Sequence, residues 1–255
     1  LHDVENETSR NVSLVKFGGS LEGIFKNKFG FFIRGTNGTF YGSKTLAREK
    51  TTLRYNYKFN REDPKNSGND YFDETEGYAF ADFDFVNVKI GRDRRTIGYG
   101  FNLPILSENP PPLDYISLNL KYKKFGFSYL HGKLLGNLRV IDNPITGSYN
   151  RVTDKFISYH RFYFNLNKHL NIGLGETVIY SDRSIDLSYL NPFNFYKSAE
   201  HLNQDRDNTM LFLDLENNSF DGLKLYGTLL IDDLDFGKIG TGWYGNKVLW
   251  QIGFY

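Results

Sequence analysis

LKLYGTLLIDD, residues 223 to 233, sets how the rest of the chain is read. Successive strand side chains point to opposite faces, so Leu223, Leu225, Gly227, Leu229 and Ile231 share one side, while Lys224, Tyr226, Thr228 and Asp232 lie mostly on the other. One face seeks an apolar neighbour and the other seeks water. Two folds satisfy that pattern: a soluble β-sandwich with its apolar faces turned inward, and a membrane β-barrel with its apolar face turned to lipid.

The chain has 255 residues, enough for one large all-β domain, and it reads as a single domain over 1–255. With 31 basic and 30 acidic residues the net charge is +1, so no overall field recruits nucleic acid and no such partner is expected. Cysteine is absent, which excludes disulfides, thiolate metal sites and cysteine nucleophiles. The 23 Phe and 18 Tyr stand against a single Met, a composition suited to pleated surfaces rather than helices. No run of about 18 apolar residues is present, so no transmembrane helix is expected; barrel strands need only about 10 alternating residues. The chain opens at Leu1 without a signal-peptide pattern, as a mature or trimmed product would.

Working outward from residues 223 to 233, the same alternation recurs in YISLNLKY (115–122), FISYHRFYFNL (156–166) and LNIGLGETVIY (170–180). Further pairs are 209–216 with 223–232 and 76–86 with 88–93, and the first two strands fall near 12–25 and 28–40. The count is roughly twelve strands in hairpins. Short turns near 86, 123, 167 and 218 alternate with long loops at 94–113, 136–153, 182–206 and 233–246. Outer-membrane barrels have that asymmetry, short turns on one side and long loops on the other, and strands of about 10 residues span their apolar band of about 25 Å. The fold expected is therefore an antiparallel outer-membrane β-barrel of about twelve strands visible here, either complete or part of a larger barrel. One helix-like piece, 191–204, lies inside a long loop with Pro192 suited to a first helical position after Asn191.

Few constellations carry chemistry. Ser158 and His160 share a strand face, but Phe162, Phe164 and Leu166 continue it, so His160 reads as the rim of a lipid-facing stripe and no enzyme is expected. Asp70, Asp73, Glu74 and Glu76 in NDYFDETE lack the spacing and glycine of a calcium loop and read as solvated loop; no metal or cofactor is implied. Arg92, Arg94 and Arg95 cluster in GRDRRTIGYG, where planar forks suit carboxylate or phosphate groups, or the interior carboxylates Asp82 and Asp84.

The segments GRDRRTIGYGFNLPILSENPPP, GETVIYSDRSIDLSYLNPFNFY, LYGTLLIDD and NKVLWQIGF, in that order over residues 88–255, are similar to the capsule-assembly Wzi family of outer-membrane proteins. The matching positions include Gly91, Arg92, Gly98, Gly100, Ser107, Asn109, Glu176, Tyr180, Asn191, Pro192, Asp232, Asp233, Asn246, Lys247, Trp250 and Gln251. The resemblance implies a monomeric, non-enzymatic barrel in the outer membrane of a Gram-negative bacterium, bounded by lipid and lipopolysaccharide, that holds exported capsular polysaccharide. Family barrels are larger, with around eighteen strands, and the first 85 residues have no counterpart in the match. A solute channel is the alternative function. Aromatic rings against sugar faces and arginine forks against carboxylates are the chemistry of polysaccharide binding. On that physical ground the candidate ligand residues are Arg92, Arg94, Arg95, Tyr99, Asn191, Phe195, Tyr196, Trp243 and Tyr244.

Overall fold

The computed structural model describes residues 2–5, 8–56, 71–107, 110–136, 138–142, 144–145, 147–204 and 206–255. The protein is an all-β, antiparallel sheet protein with few helices. Its strands are β1 (His2–Glu5), β2 (Thr8–Phe25), β3 (Phe29–Gly42), β4 (Tyr71–Phe83), β5 (Val86–Asp93), β6 (Leu113–Tyr122), β7 (Phe125–Leu134), β8 (Leu138–Ile141), β9 (Tyr149–Val152), β10 (Lys155–Asn165), β11 (Leu170–Ser181), β12 (Asn208–Phe220), β13 (Leu223–Asp233) and β14 (Lys247–Phe254). Sheet order follows chain order, except that β8 and β9 form a hairpin of their own inside the loop expected at 136–153. Eleven strands carry the sheet, with the four-residue β1 added at its edge. Among the described residues β14 pairs with β13 alone, so the sheet order ends there without closing on itself. No helix of the described residues is long and apolar enough to cross a membrane.

Two compact units share the chain, where the sequence reads as one domain: Leu1–Ala79 with Gly91–Asp93, and Phe80–Ile90 with Arg94–Tyr255. In the first, β2 and β3 pair in register from Val12↔Gly42 to Phe25↔Phe29. Val15, Phe17, Leu21, Ile33 and Phe31 stand exposed on one face. On the other, Val12, Phe40 and Phe72 enclose α1 (Lys44–Lys50) through Leu46 and Ala47. Glu74 and Glu76, expected in a solvated loop, lie instead on β4 and reach Lys16 Nζ (2.8 Å) and Arg34 Nη2 (2.7 Å). The alternation of Phe72, Glu74 and Glu76 places all three on one strand face, which a loop reading overlooks. Asp70, like the rest of 57–70, lies outside the described residues.

The second unit carries an inversion. The face bearing Ser117, Arg161, Asp214, Tyr226 and Thr228 is buried, with Arg161 at 8 % and Thr228 at 5 % exposure. The opposite face, in register across β10 to β14, holds Phe162, Leu174, Leu213, Leu229 and Trp250, all half-buried or exposed. Leu174 stands 57 % and Trp250 73 % exposed. Leu230 is the exception that the alternation of 223–233 left unplaced: it lies on the polar face and packs with Leu113, Tyr115, Leu130, Ile157, Tyr159 and Phe212. That cluster is covered by Ile97, Ile105 and Leu106 of the segment after β5.

Two helices sit in the loop between β11 and β12: α2 (Leu187–Leu190) and α3 (Tyr196–Leu202). The expected single helix over 191–204 is broken, and Pro192 occupies the turn between the two. Asn191 closes α2 through its backbone N–H to Leu187 O, while its side chain accepts from Phe193 N (3.1 Å). That turn, formed by the side chain of Asn191 over its own backbone, takes the place of a helix start.

Candidate functional site

Arg161 sits in mid-strand on β10, where a charge has no partner on its own strand. Its neighbour across the β10–β11 ladder is Gly175, and the diagonal Gly173 stands opposite Asp214 on β12. Neither glycine carries a side chain, so the Arg161 side chain crosses over β11; a Cβ at Gly173 would overlap its guanidinium. Arg161 Nε then donates to both Asp214 oxygens, at 3.0 and 2.9 Å, and Nη2 donates to Asn171 Oδ1 (2.6 Å) and to Tyr99 Oη (3.0 Å). Tyr99 Oη donates in turn to Asn171 Oδ1 (3.1 Å). The guanidinium also lies 5.1 Å from the Tyr163 ring centre. Nε and Nη2 of the fork are thus both engaged, as a buried charge requires.

Tyr99 comes from the segment 94–106, which folds onto this face. Ile97 and Leu106 exchange backbone hydrogen bonds at 3.2 and 3.3 Å and close the segment into a loop. Gly100, at φ +83°, turns the chain in the left-handed region and passes so close to the Tyr226 ring that no Cβ would fit. Burial pushes the Tyr99 hydroxyl up to about 12, with the Arg161 charge working against it. The phenol is neutral at any physiological pH and acts as a fixed hydrogen-bonding group.

Beside this network lies a cavity of about 230 Å³, lined by Arg95 and Tyr99 from the loop, Ser117 and Asn119 from β6, Ser128 from β7, and Tyr159, Arg161 and Asp214. Ser117 is buried, and among the described residues its Oγ has no hydrogen-bond partner. Arg95 holds its guanidinium 5.0 Å over the Tyr115 ring. Planar cationic and carboxylate groups, the phenol rings of Tyr99 and Tyr159, and small hydroxyls face one space, a set suited to a hydroxyl-rich ligand.

Of the candidate ligand residues, Arg95 and Tyr99 meet at this cavity. Arg92 is the exposed next-to-last residue of β5 and belongs to the first unit, whereas Arg94 is half-buried in the second. Asn191 is the α2 cap. Phe195 is exposed and precedes α3, while Tyr196 is wholly buried with its hydroxyl 2.9 Å from Ser158 Oγ. Trp243 lies under Lys238 Nζ at 3.8 Å, with the exposed Tyr244 beside it. Arg161, Asp214, Asn171 and Ser117 are not among the residues singled out from the sequence; the signal for the first two is a charge in mid-strand beside large apolar residues, Phe162 for Arg161 and Leu213 and Leu215 for Asp214.

A second polar cluster lies on the other face, under α2 and α3. Ser158 Oγ donates to Tyr189 O (2.7 Å), and Tyr129 Oη donates to Leu190 O (2.7 Å). Glu176 accepts from the Tyr196 and Lys197 backbone N–H groups (2.8 and 3.2 Å), capping α3 from a neighbouring strand where Phe195 cannot. His160 Nε2 stands 3.3 Å from Glu176 Oε2. The Ser158 proton is thus committed to a carbonyl, and the pair lacks the nucleophile-to-base bond that catalysis needs. Among the described residues no group of three His, Cys, Asp or Glu side chains could hold a metal ion. No protein-family model matches the chain, and neither a curated protein nor a solved structure matches it.

Proposed function

We propose that the chain is a non-enzymatic, outer-membrane β-barrel protein, or the larger part of one, that meets lipid with its apolar face and holds a saccharide unit of an exported polysaccharide on its polar face. One observation carries the reading: across β10 to β14 the strand face that bears Arg161, Asp214 and Thr228 is the buried one, and the face that bears Phe162, Leu174, Leu213 and Trp250 is the open one. A soluble sandwich buries the reverse. Barrels in lipid have apolar residues outside and polar residues inside. The saccharide half of the reading draws on the cavity, where Arg95, Tyr99 and the buried Ser117 Oγ converge. The segment 94–106 packed over this face speaks against an open solute channel.

Titration calorimetry with uronic-acid-containing oligosaccharides tests the binding. Replacing both Arg95→Ala and Tyr99→Phe should weaken it at least about tenfold, roughly 1.4 kcal/mol, while heat-modifiable gel migration stays that of the parent. Unchanged affinity would remove the cavity from the reading. A steady open-pore current of the parent chain in a planar bilayer would put a solute channel in its place.

A further inference from the structure

The segment 182–204 is docked against the side of the sheet that holds the apolar band, and it covers the polar part of that side. Beneath it lie Ser158, bonded to Tyr189 O and the Tyr196 hydroxyl, Glu176, which accepts from the α3 backbone, and His160, whose Nε2 stands 3.3 Å from Glu176 while its buried Nδ1 has no hydrogen-bond partner among the described residues. Polar groups facing hydrocarbon without partners are costly, so this wall could not meet lipid bare. The outer surface of the segment carries a set of large apolar residues among exposed polar ones such as Asn191, Ser198 and His201. Ile185, Leu187, Phe193, Phe195 and Leu202 are all exposed, Leu187 at 76 % and Leu202 at 85 %. Phe193 stacks on Phe127 at 5.1 Å, and Phe127 packs on Phe162 at 4.6 Å, so the apolar surface of the segment runs unbroken into the band on the strands.

Band height explains why such a cover is placed here. On β13, Leu223, Leu225, Gly227, Leu229 and Ile231 give an apolar face over eight residue steps, about 26 Å along the strand. At β10 the open apolar positions run only from Phe162 to Leu166, the residue just past the strand end, four steps or about 13 Å, before His160 and Ser158 begin. The apolar band of an outer-membrane protein is about 25 Å tall. On strands tilted by about 40° the run at β10 rises only about 10 Å, less than half the height the bilayer asks for.

We infer that the segment 182–204 is a membrane-interfacial strap: it seals a polar wall and presents Leu187, Phe193 and Phe195 to the acyl and headgroup boundary of the bilayer, completing the band where the strands fall short. This rests on the membrane reading above. The occupant of this surface is lipid, because the surface continues the band and lies at the height where the band is missing.

The chain has no cysteine, so one introduced thiol is unique. Phe195→Cys, Leu187→Cys and, on the central band, Leu229→Cys each carry an environment-sensitive fluorophore, and the folded protein is placed in phosphatidylcholine vesicles brominated near the carbonyl end of the acyl chain. Thr241→Cys, on an exposed polar turn, is the water reference. Quenching at both 195 and 187 of about twofold or more over 241 is the result expected of an interfacial helix. Quenching at 229 with none at 195 and 187 would overturn the strap while leaving the membrane reading intact. No quenching at any of the three would overturn both. Two labelled strap positions, each checked by heat-modifiable migration, keep the test decisive if one variant fails to fold.

Discussion

Arg161 and Asp214 form a two-oxygen ion pair across β11, a strand that neither belongs to, with Arg161 Nε 3.0 and 2.9 Å from the carboxylate oxygens. Both side chains are almost fully buried. Removing one partner leaves the other charge buried alone, which costs about 3–5 kcal/mol, whereas replacing the pair by apolar groups of similar volume is near neutral. Arg161→Ala and Asp214→Ala should each lower unfolding free energy by that amount in denaturant titrations, and Arg161→Met with Asp214→Leu should restore most of it. Equal losses in the single and double variants would show that packing, not charge, holds the site.

The pair depends on a wall thinned to bare backbone. A Cβ at Gly175 would overlap the His160 carbonyl and the Phe212 ring. Gly175→Ala should therefore destabilise by about 1–3 kcal/mol, as overpacking does. At Gly35 nothing lies within 4 Å of a built Cβ, and Gly35→Ala should be neutral or stabilising by up to about 1 kcal/mol. Urea midpoints of the two variants check the contrast.

Alternation made the strands legible, and the hairpin pairs 156–166 with 170–180 and 209–216 with 223–232 are found as β10–β11 and β12–β13. What alternation cannot give is which face is buried, because the pattern of Leu225, Gly227 and Leu229 reads the same in a sandwich and in a membrane. The site was hidden for a related reason. Arg161 and Asp214 are 53 residues apart and on strands that do not touch; only the register that sets Gly173 and Gly175 between them brings them together. The strap was visible as a loop, but its docking relies on Glu176 capping α3 from another strand, a contact with no local sequence signal.

Acid should loosen the strap in a predictable direction. Burial alone would raise the Asp207 carboxyl; the Arg183 fork and the Tyr189 hydroxyl outweigh it and hold the group below its ordinary 3.8. A depressed carboxylate contributes stability present above the unfolded pKa and lost as pH falls through the folded one. Arg206 adds a further positive charge, and Asp186 shares the Arg183 fork. Hydrogen-exchange protection of 182–204 should therefore drop in an acid step below about pH 3.8. Asp207→Asn should remove that step and show weakened protection already at neutral pH. An acid step of unchanged size in Asp207→Asn would assign it to another group.

The most direct test of the membrane reading is the price of a charge on the open apolar face. Leu174 is 57 % exposed on β11, in the interior of the sheet order. In water, a substitution at so open a position changes stability by about 0.5 kcal/mol or less. In a bilayer, arginine near the midplane of a barrel's lipid face costs about 2–4 kcal/mol. Unfolding free energies of the parent and Leu174→Arg, measured in phospholipid vesicles, should differ by that larger amount. A difference within about 0.5 kcal/mol would mean that this face meets water, and would contradict a membrane-spanning sheet.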